Sequence, residues 1–280
     1  FNPVTLSIDR SLVSVKGSAD YKKNILDFEL DLTEASSSLI NFFWSDTLSN
    51  GKATGSMKIG GTFEKTSADV DLSISDFEYN EISLSSFELN AQLEDLNNFR
   101  TGIIKTKFSE GLWSDFIIKS GNGQFSLNGN EIIISSFELR NNDDFMQFNG
   151  KFSADSILIV DKFQLAYQNH FLINPSQLQL NLSNNKLEMS PFELHVDDGI
   201  IEGYFETSPF VGKIKFSNVT SDILPLLKIK GSENINGSFF GEINFPKDTN
   251  LDMVKFDFSV KEGFLVDQPF NNLRVDAFYQ

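Results

Sequence analysis

One short phrase, Leu-x-Ile-Ser-x-Phe-Glu-Leu or a close variant, recurs along this chain and limits what it can fold into. Four copies are Leu72–Tyr79, Ile82–Leu89, Ile132–Leu139 and Leu187–Leu194, and a looser fifth is Leu158–Leu165. In the four, apolar residues stand at positions 1, 3, 6 and 8, Ser at 4 and Glu at 7. A step of two is the strand period, so each half of the phrase shows its apolar residues to one side. The step of three in the middle sends the second half to the opposite side unless the chain bends or bulges there. The phrase reads as strand, corner, strand.

The third and fourth copies share a longer frame. Phe137-Glu138-Leu139 leads to Asp143-Asp144 and then Gly150-Lys151-Phe152, while Phe192-Glu193-Leu194 leads to Asp197-Asp198 and then Gly203-Tyr204-Phe205. Phe87, Phe137, Phe163 and Phe192 are 50, 26 and 29 residues apart, close to one or two units of a common length. Periods of that order mark stacked architectures in which each unit covers its neighbour's face.

Alternation over Phe1–Leu32 predicts three strands, with turns at Asp9-Arg10 and Gly17–Asp20. Thr33–Leu48 breaks the pattern: Leu39, Ile40, Phe43 and Trp44 recur at helical spacing behind Ser and Thr caps, which predicts a short helix over about 35–46, ended by Asn50-Gly51. Glycine-rich Gly51–Phe63 predicts close backbone approach or sharply bent strands. Leu96–Leu127 reads as short strands divided by Gly102, Gly111, Gly121 and Gly123, with Ser120–Gly123 as a hairpin turn. A second helix is expected over about 221–229, with Ile223, Leu226 and Leu227 on one side. The passages Leu32–Phe63 and Val219–Phe245 match in order, setting GSMKI at 55–59 beside GSFFG at 237–241. The expected fold is mostly β: an elongated, curled sheet or solenoid-like trough of short stacked strands with two short helices. It forms one continuous repeat region over 1–280, with sub-units of about 1–63, 64–218 and 219–280.

Composition narrows the function. There are 29 Phe against 5 Tyr and 2 Trp, so the aromatic surface carries no polar handle and calls for apolar surroundings. The net charge of −16 argues against nucleic acid and against attraction to an anionic bilayer. With no cysteine there is no disulfide, thiolate catalysis or cysteine zinc site. No apolar run is long enough for a membrane span, and no signal-peptide pattern is present. The opening FNPVTLSID and the closing LRVDAFYQ fall in mid-pattern, which reads as a segment of a longer protein.

No motif carries chemistry. Asp143-Asp144 and Asp197-Asp198 lack the spaced acidic run of a calcium loop and read as turn acids. His170 and His195 stand outside any metal-binding frame, and the glycines at 51–61 do not have the order of a phosphate loop. Catalytic, cofactor and metal sites are therefore all expected to be absent. Glu78, Glu88, Glu138 and Glu193 alternate with the apolar residues and are expected to face solvent.

The helix-to-strand passages, the Phe-x-Leu strands leading to Asp-Asp turns and Gly-x-Phe, and the closing KEGFLVDQPFNNLRVDAFYQ resemble the AsmA-like and TamB family of bacterial envelope proteins. The family's N-terminal anchor and its terminal domain are not visible in this sequence. The resemblance implies an apolar groove that carries phospholipid across the periplasm, in a protein held at the inner membrane by a segment outside this one. A partner β-barrel of the outer membrane would be engaged by other regions. Candidate groove-lining residues are Phe77, Phe87, Leu89, Ile134, Phe137, Leu139, Phe163, Phe192 and Leu194, for which dry packing between strands is the competing reading. Leu39, Phe43, Ile223 and Leu227 are candidate apolar caps at a sheet edge or groove end. A scaffold for outer-membrane barrel assembly is the alternative function. A closed surface solenoid and a carbohydrate-cleaving β-helix are the remoter ones.

Overall fold

The computed structural model describes residues 4–8, 11–36, 50–96, 101–113, 116–183, 186–207, 210–221, 235–245, 254–265 and 268–279. These are mostly β-strand, as the alternation predicts. The strands are β1 (Val4–Ile8), β2 (Ser11–Asp20), β3 (Ile25–Ser36), β4 (Asn50–Gly61), β5 (Thr66–Tyr79), β6 (Ile82–Leu93), β7 (Thr101–Trp113), β8 (Phe116–Asn128), β9 (Glu131–Asn141) and β10 (Asp144–Ser153). They continue with β11 (Ile157–Tyr167), β12 (His170–Ile173), β13 (Leu178–Asn181), β14 (Glu188–Val196), β15 (Gly199–Thr207), β16 (Phe210–Thr220), β17 (Ile235–Phe245), β18 (Val254–Leu265) and β19 (Gln268–Tyr279). Contacts divide the chain into two units, Phe1–Asn149 and Gly150–Gln280, with the division inside β10.

In the first unit each strand from β1 to β9 pairs antiparallel with the next. The first two copies of the phrase lie on β5 and β6 and pair with each other: Leu72 opposes Leu89, Ile74 opposes Phe87, Phe77 opposes Leu84, and Tyr79 opposes Ile82. Apolar positions 1, 3, 6 and 8 read the same in both directions, so an antiparallel hairpin matches every apolar residue of one copy to one of the other. The middle step of three is absorbed where the ladder skips a pair. Asp76 stands opposite Ser85, Ser85 opposite Glu110 and Glu110 opposite Lys119, none of them a ladder pair. Asp76 and Glu110 take positive φ, 52° and 41°. The shift falls at the same level of four strands. Ile74 and Phe77, Leu84 and Phe87, Phe108 and Gly111, and Ile118 and Gly121 therefore keep to one face. A one-sided bulge does the same on β3 between Leu32 and Ala35, where Glu34 has φ 49°, and on β9 at Ser135.

The second unit continues as a meander with one interruption. β12 and β13 stand as a single broken strand between β11 and β14. From β16 to β19 the chain repeats the register of β3 to β6. Leu32↔Gly55↔Leu72 corresponds to Phe216↔Gly241↔Phe258, and Ala35↔Ala53↔Ile74↔Phe87 to Val219↔Phe239↔Val260↔Leu273. From Gly51 and Gly237 onward the equivalent residues are 186 apart. The positive-φ positions repeat too: Glu34 with Asn218, Gly51 with Gly237 (both 146°), and Asp76 with Glu262. This sets Gly51, not Gly55, against Gly237. The match of GSMKI to GSFFG is four residues out of register, because the glycine that opens the strand with positive φ fixes the alignment.

Three further expectations change. Gly17–Asp20, expected as a turn, is the end of β2, and the turn follows at 21–24. The helix predicted over 35–46 is strand at Ala35 and Ser36, and the rest of it lies outside the described residues, as does the helix over 221–229 beyond Ser221. Ser120–Gly123 is not a turn but the middle of the 13-residue β8, and Gly102 and Gly111 lie inside β7. These glycines are spaces for neighbours. A Cβ on Gly121 would come within 2.6 Å of Leu139 Cδ2 and 3.0 Å of Phe108 Cδ2. Gly121→Val should overpack this point and cost about 1–3 kcal/mol, read as a lower urea midpoint with an unchanged slope.

Candidate functional site

The shared face of the first unit carries a row of phenylalanine rings that runs across the strands. Phe77 on β5 stacks on Phe87 of β6 with centroids 5.2 Å apart, Phe87 meets Phe108 of β7 at 5.5 Å, Phe108 meets Phe137 of β9 at 6.0 Å, and Phe137 meets Phe148 of β10 at 5.0 Å. The third contact passes over β8, which shows only Gly121 and Gly123 there. A Cβ on Gly121 would meet the Phe108 ring, and one on Gly123 the Phe125 ring and Thr106 Oγ1. Leu89 lies in the row of Phe137, through Thr106 and Gly123, and Leu139 in the row of Phe87, through Phe108 and Gly121. Reversing strand direction exchanges the Phe and Leu of the phrase, so both rows stay filled. Ile134 sits one row further, opposite Phe125.

All five rings are half-buried. The buried side chains around them are Ala35, Ala53 and Ile74 in one cluster and Leu84, Ile118 and Leu139 in another, and among the described residues everything packed against these belongs to the same sheet. The ring contacts are lateral, between neighbours on one face, and each ring keeps part of its surface exposed.

Phe163, Phe192 and Leu194 lie in the second unit. Phe192 is buried opposite Gly203, beyond a bulge between Met189 and Phe192, and half-buried Leu194 opposes Ile201. Phe163 marks the corner where β11 changes partner from β13 to β12. Asn174 fills the break: its backbone N–H donates to Phe163 O (3.3 Å), its Oδ1 accepts from Phe163 N–H, and its Nδ2 donates to Ser176 O (2.8 Å). A buried side chain thus supplies bonds that a continuous ladder would make. Removing it in Asn174→Ala should cost about 1–3 kcal/mol through the unsatisfied Phe163 amide, measured by urea unfolding. Leu39, Phe43, Ile223 and Leu227 lie outside the described residues.

The opposite face of the first unit is charged: Glu78 and Glu88 are exposed on it, and Glu138 pairs with Arg140. In the second unit, Glu193 Oε1 lies 2.7 Å from His195 Nε2. Lys16 and Glu29 pair across β2 and β3 at 2.7 Å, Lys215 and Glu202 across β16 and β15 at 2.6 Å. The hydrogen bond from Lys16 holds the Glu29 carboxyl below its ordinary range, and donating to Glu29 and to Glu202 raises Lys16 and Lys215. For Glu29, the lowered side, this stabilisation is present above the ordinary carboxylate range and lost as pH falls through the folded value. Glu29→Gln should therefore show a shallower loss of stability below about pH 4.5, followed by acid titration of the urea midpoint.

Asp197 does more than occupy a turn. Its Oδ1 accepts from Phe171 N–H at 2.7 Å, its Oδ2 lies 2.7 Å from His170 Nδ1, and its N–H donates to Phe171 O. The β14–β15 turn is thereby tied to β12. Asp143 is an exposed turn residue. Among the described residues no three His, Asp or Glu side chains cluster as a metal site, and no helix is long and apolar enough to cross a membrane.

The phrase misses Phe108 and Phe148. Phe108 belongs to the same spacing, since Ile104, Thr106, Phe108, Gly111 and Trp113 step by two, two, three and two. Thr106 and Gly111 stand where the phrase has apolar residues, so the phrase does not include Phe108. No family model matches the chain, and neither a curated protein nor a solved structure matches it.

Proposed function

We propose that this chain is a non-enzymatic lipid conduit segment, in which the apolar face shields phospholipid acyl chains on their way between two membranes. The observation that carries this reading is the unbroken row of half-buried rings from Phe77 to Phe148 on a face opposite a charged one. Acyl chains laid on it would gain about 0.8 kcal/mol for each methylene removed from water, with the head group at the open side. Rings that touch laterally offer no point where a chain would cross a polar gap. The proposed setting, the periplasm of a bacterial envelope between inner and outer membranes, rests on the resemblance to the AsmA-like and TamB proteins alone.

A photo-reactive phenylalanine at position 87 or 137 should cross-link to acyl chains of phospholipid in cells, and phospholipid should co-purify with the chain. Phe108→Glu, placing a charge in the middle of the row, should reduce lipid labelling from position 87 at least tenfold while far-UV circular dichroism stays that of a sheet. Labelling of an unfolded barrel protein in place of lipid would replace this reading with the assembly scaffold.

A further inference from the structure

At one end of the first unit, two turns meet where the apolar alternation of β2 and β4 runs out. Ala19 is followed two residues later by Tyr21, and Gly61 by Phe63, and these two rings stack with centroids 4.7 Å apart and planes 16° from parallel. Phe63 N–H donates to Asn24 Oδ1 at 3.2 Å, which ties the β4–β5 turn to the β2–β3 turn. Each turn is also closed on itself. Asp20 Oδ1 accepts from the N–H of Lys22 at 3.0 Å and of Lys23 at 3.1 Å. Thr62 N–H donates to Lys65 O, Lys65 N–H to Thr62 Oγ1, and Thr66 Oγ1 to Thr62 O. The backbone under Lys22, Lys23 and Lys65 is thereby fixed around the stack, while Tyr21 stays 82 % exposed.

These turns concentrate positive charge. Residues 21–24 and 62–65 hold three lysines and one acid, Glu64. Asp20, at the foot of the first turn, is engaged by two amides and lies 3.5 Å from Lys23 Nζ. Lys22 and Lys65 form no ion pair among the described residues. At the same end of the strands, Glu94 and Asp95 follow β6, and Asn128-Gly129-Asn130 joins β8 to β9. At the other end the turns carry Asn80-Glu81 and Asn142-Asp143, acids without a base. The chain carries −16 overall, which gives it no general attraction for anions, so the attraction of the three lysines is local. Directly behind the stack the apolar face begins, with Leu26 between Ala19 and Gly61.

A phospholipid sets out the same order of chemistry: an anionic phosphate, an ester region of mixed polarity, then hydrocarbon. Lysine meets phosphate as a point charge, and tyrosine, with an apolar body and a polar tip, settles where hydrocarbon gives way to water. We propose that Lys22, Lys23 and Lys65, around the Tyr21–Phe63 stack, hold the phosphate of a glycerophospholipid whose acyl chains lie on the apolar face of β3–β5. The proposal rests on the lipid-conduit reading and adds a direction to it, with the head group at these turns and the chains running inward along the strands.

The test titrates the 280-residue chain by calorimetry with dioctanoyl phosphatidylglycerol, below its micelle concentration, and with dioctanoylglycerol, which has the same chains and no phosphate. The phosphatidylglycerol should bind about tenfold more tightly or better. Lys22→Gln with Lys23→Gln and Lys65→Gln should bring the two lipids within about twofold of each other, with unchanged circular dichroism. Equal affinity of the parent chain for both lipids, or a preference that survives the triple substitution, would overturn the phosphate site. Dioctanoylglycerol binding that is lost in Phe108→Glu would leave the conduit reading standing in that case, whereas binding of neither lipid would overturn both. Glycerophosphoglycerol, the head group without chains, binding as tightly as the intact lipid would also overturn the proposal, since the turns would then hold soluble anions.

Discussion

An antiparallel hairpin opposes each stretch of chain to its neighbour read backwards. A strand with an irregular spacing of apolar residues can therefore match its neighbour only if that spacing is the same in both directions. The steps of two, three and two in the phrase have this property, and β5 and β6 use it directly, with Leu72, Ile74, Phe77 and Tyr79 meeting Leu89, Phe87, Leu84 and Ile82. The step of three would divide a regular strand between two faces. It is harmless because Asp76, Ser85, Glu110 and Lys119 lie at one level, so all four strands shift together.

The other features of the face depend on this alignment. With both halves of each strand on one side, Phe77 and Phe87 can stack, and the row can continue through Phe108 to Phe137 and Phe148. Glycine at 121 serves the row by having no side chain against the Phe108 ring. Charged residues gather on the opposite face for the same reason: the Glu of each phrase is one step from its Phe and cannot share its side. The arrangement is also used twice, since β16–β19 repeat the register and the positive-φ positions of β3–β6. Glu34, Asp76, Glu110 and Glu262 hold a left-handed conformation that costs non-glycine residues free energy. Its recurrence at equivalent points ties that cost to keeping the face intact.

Much of this was legible before the structure. Strand identity, the bulge at the step of three, the exposed Glu78 and Glu88 and the existence of a long repeat all come from periodicity, which depends only on local geometry, whereas Glu138 and Glu193 are half-buried. What escaped was set by neighbours distant in sequence. The glycines of β8 look like turn residues because glycine signals both turns and close approach, and only the rings of Phe108 and Phe137 decide between them. Asn174 gave no signal, since its partner Phe163 is met across a broken strand. Phe108 lies at the level of the step of three, but Thr106 and Gly111 replace two apolar residues of the phrase, so the repeat does not announce it. For the candidate site, Phe77, Phe87, Leu89, Ile134, Phe137 and Leu139 do share one face of the first unit, while Phe163, Phe192 and Leu194 belong to the second.

Because the chain contains no cysteine, introduced thiols can report directly on which residues share a face. The decisive comparison is between Phe77→Cys with Phe87→Cys and Phe77→Cys with Glu88→Cys, each treated with a short bifunctional thiol reagent. A phase shift that keeps positions 3 and 6 on one side predicts bridging of 77 to 87, whose rings stack at 5.2 Å, and little bridging of 77 to 88. Efficient bridging of 77 to 88, with none of 77 to 87, would mean that the strand alternates regularly and that the phenylalanine row does not exist.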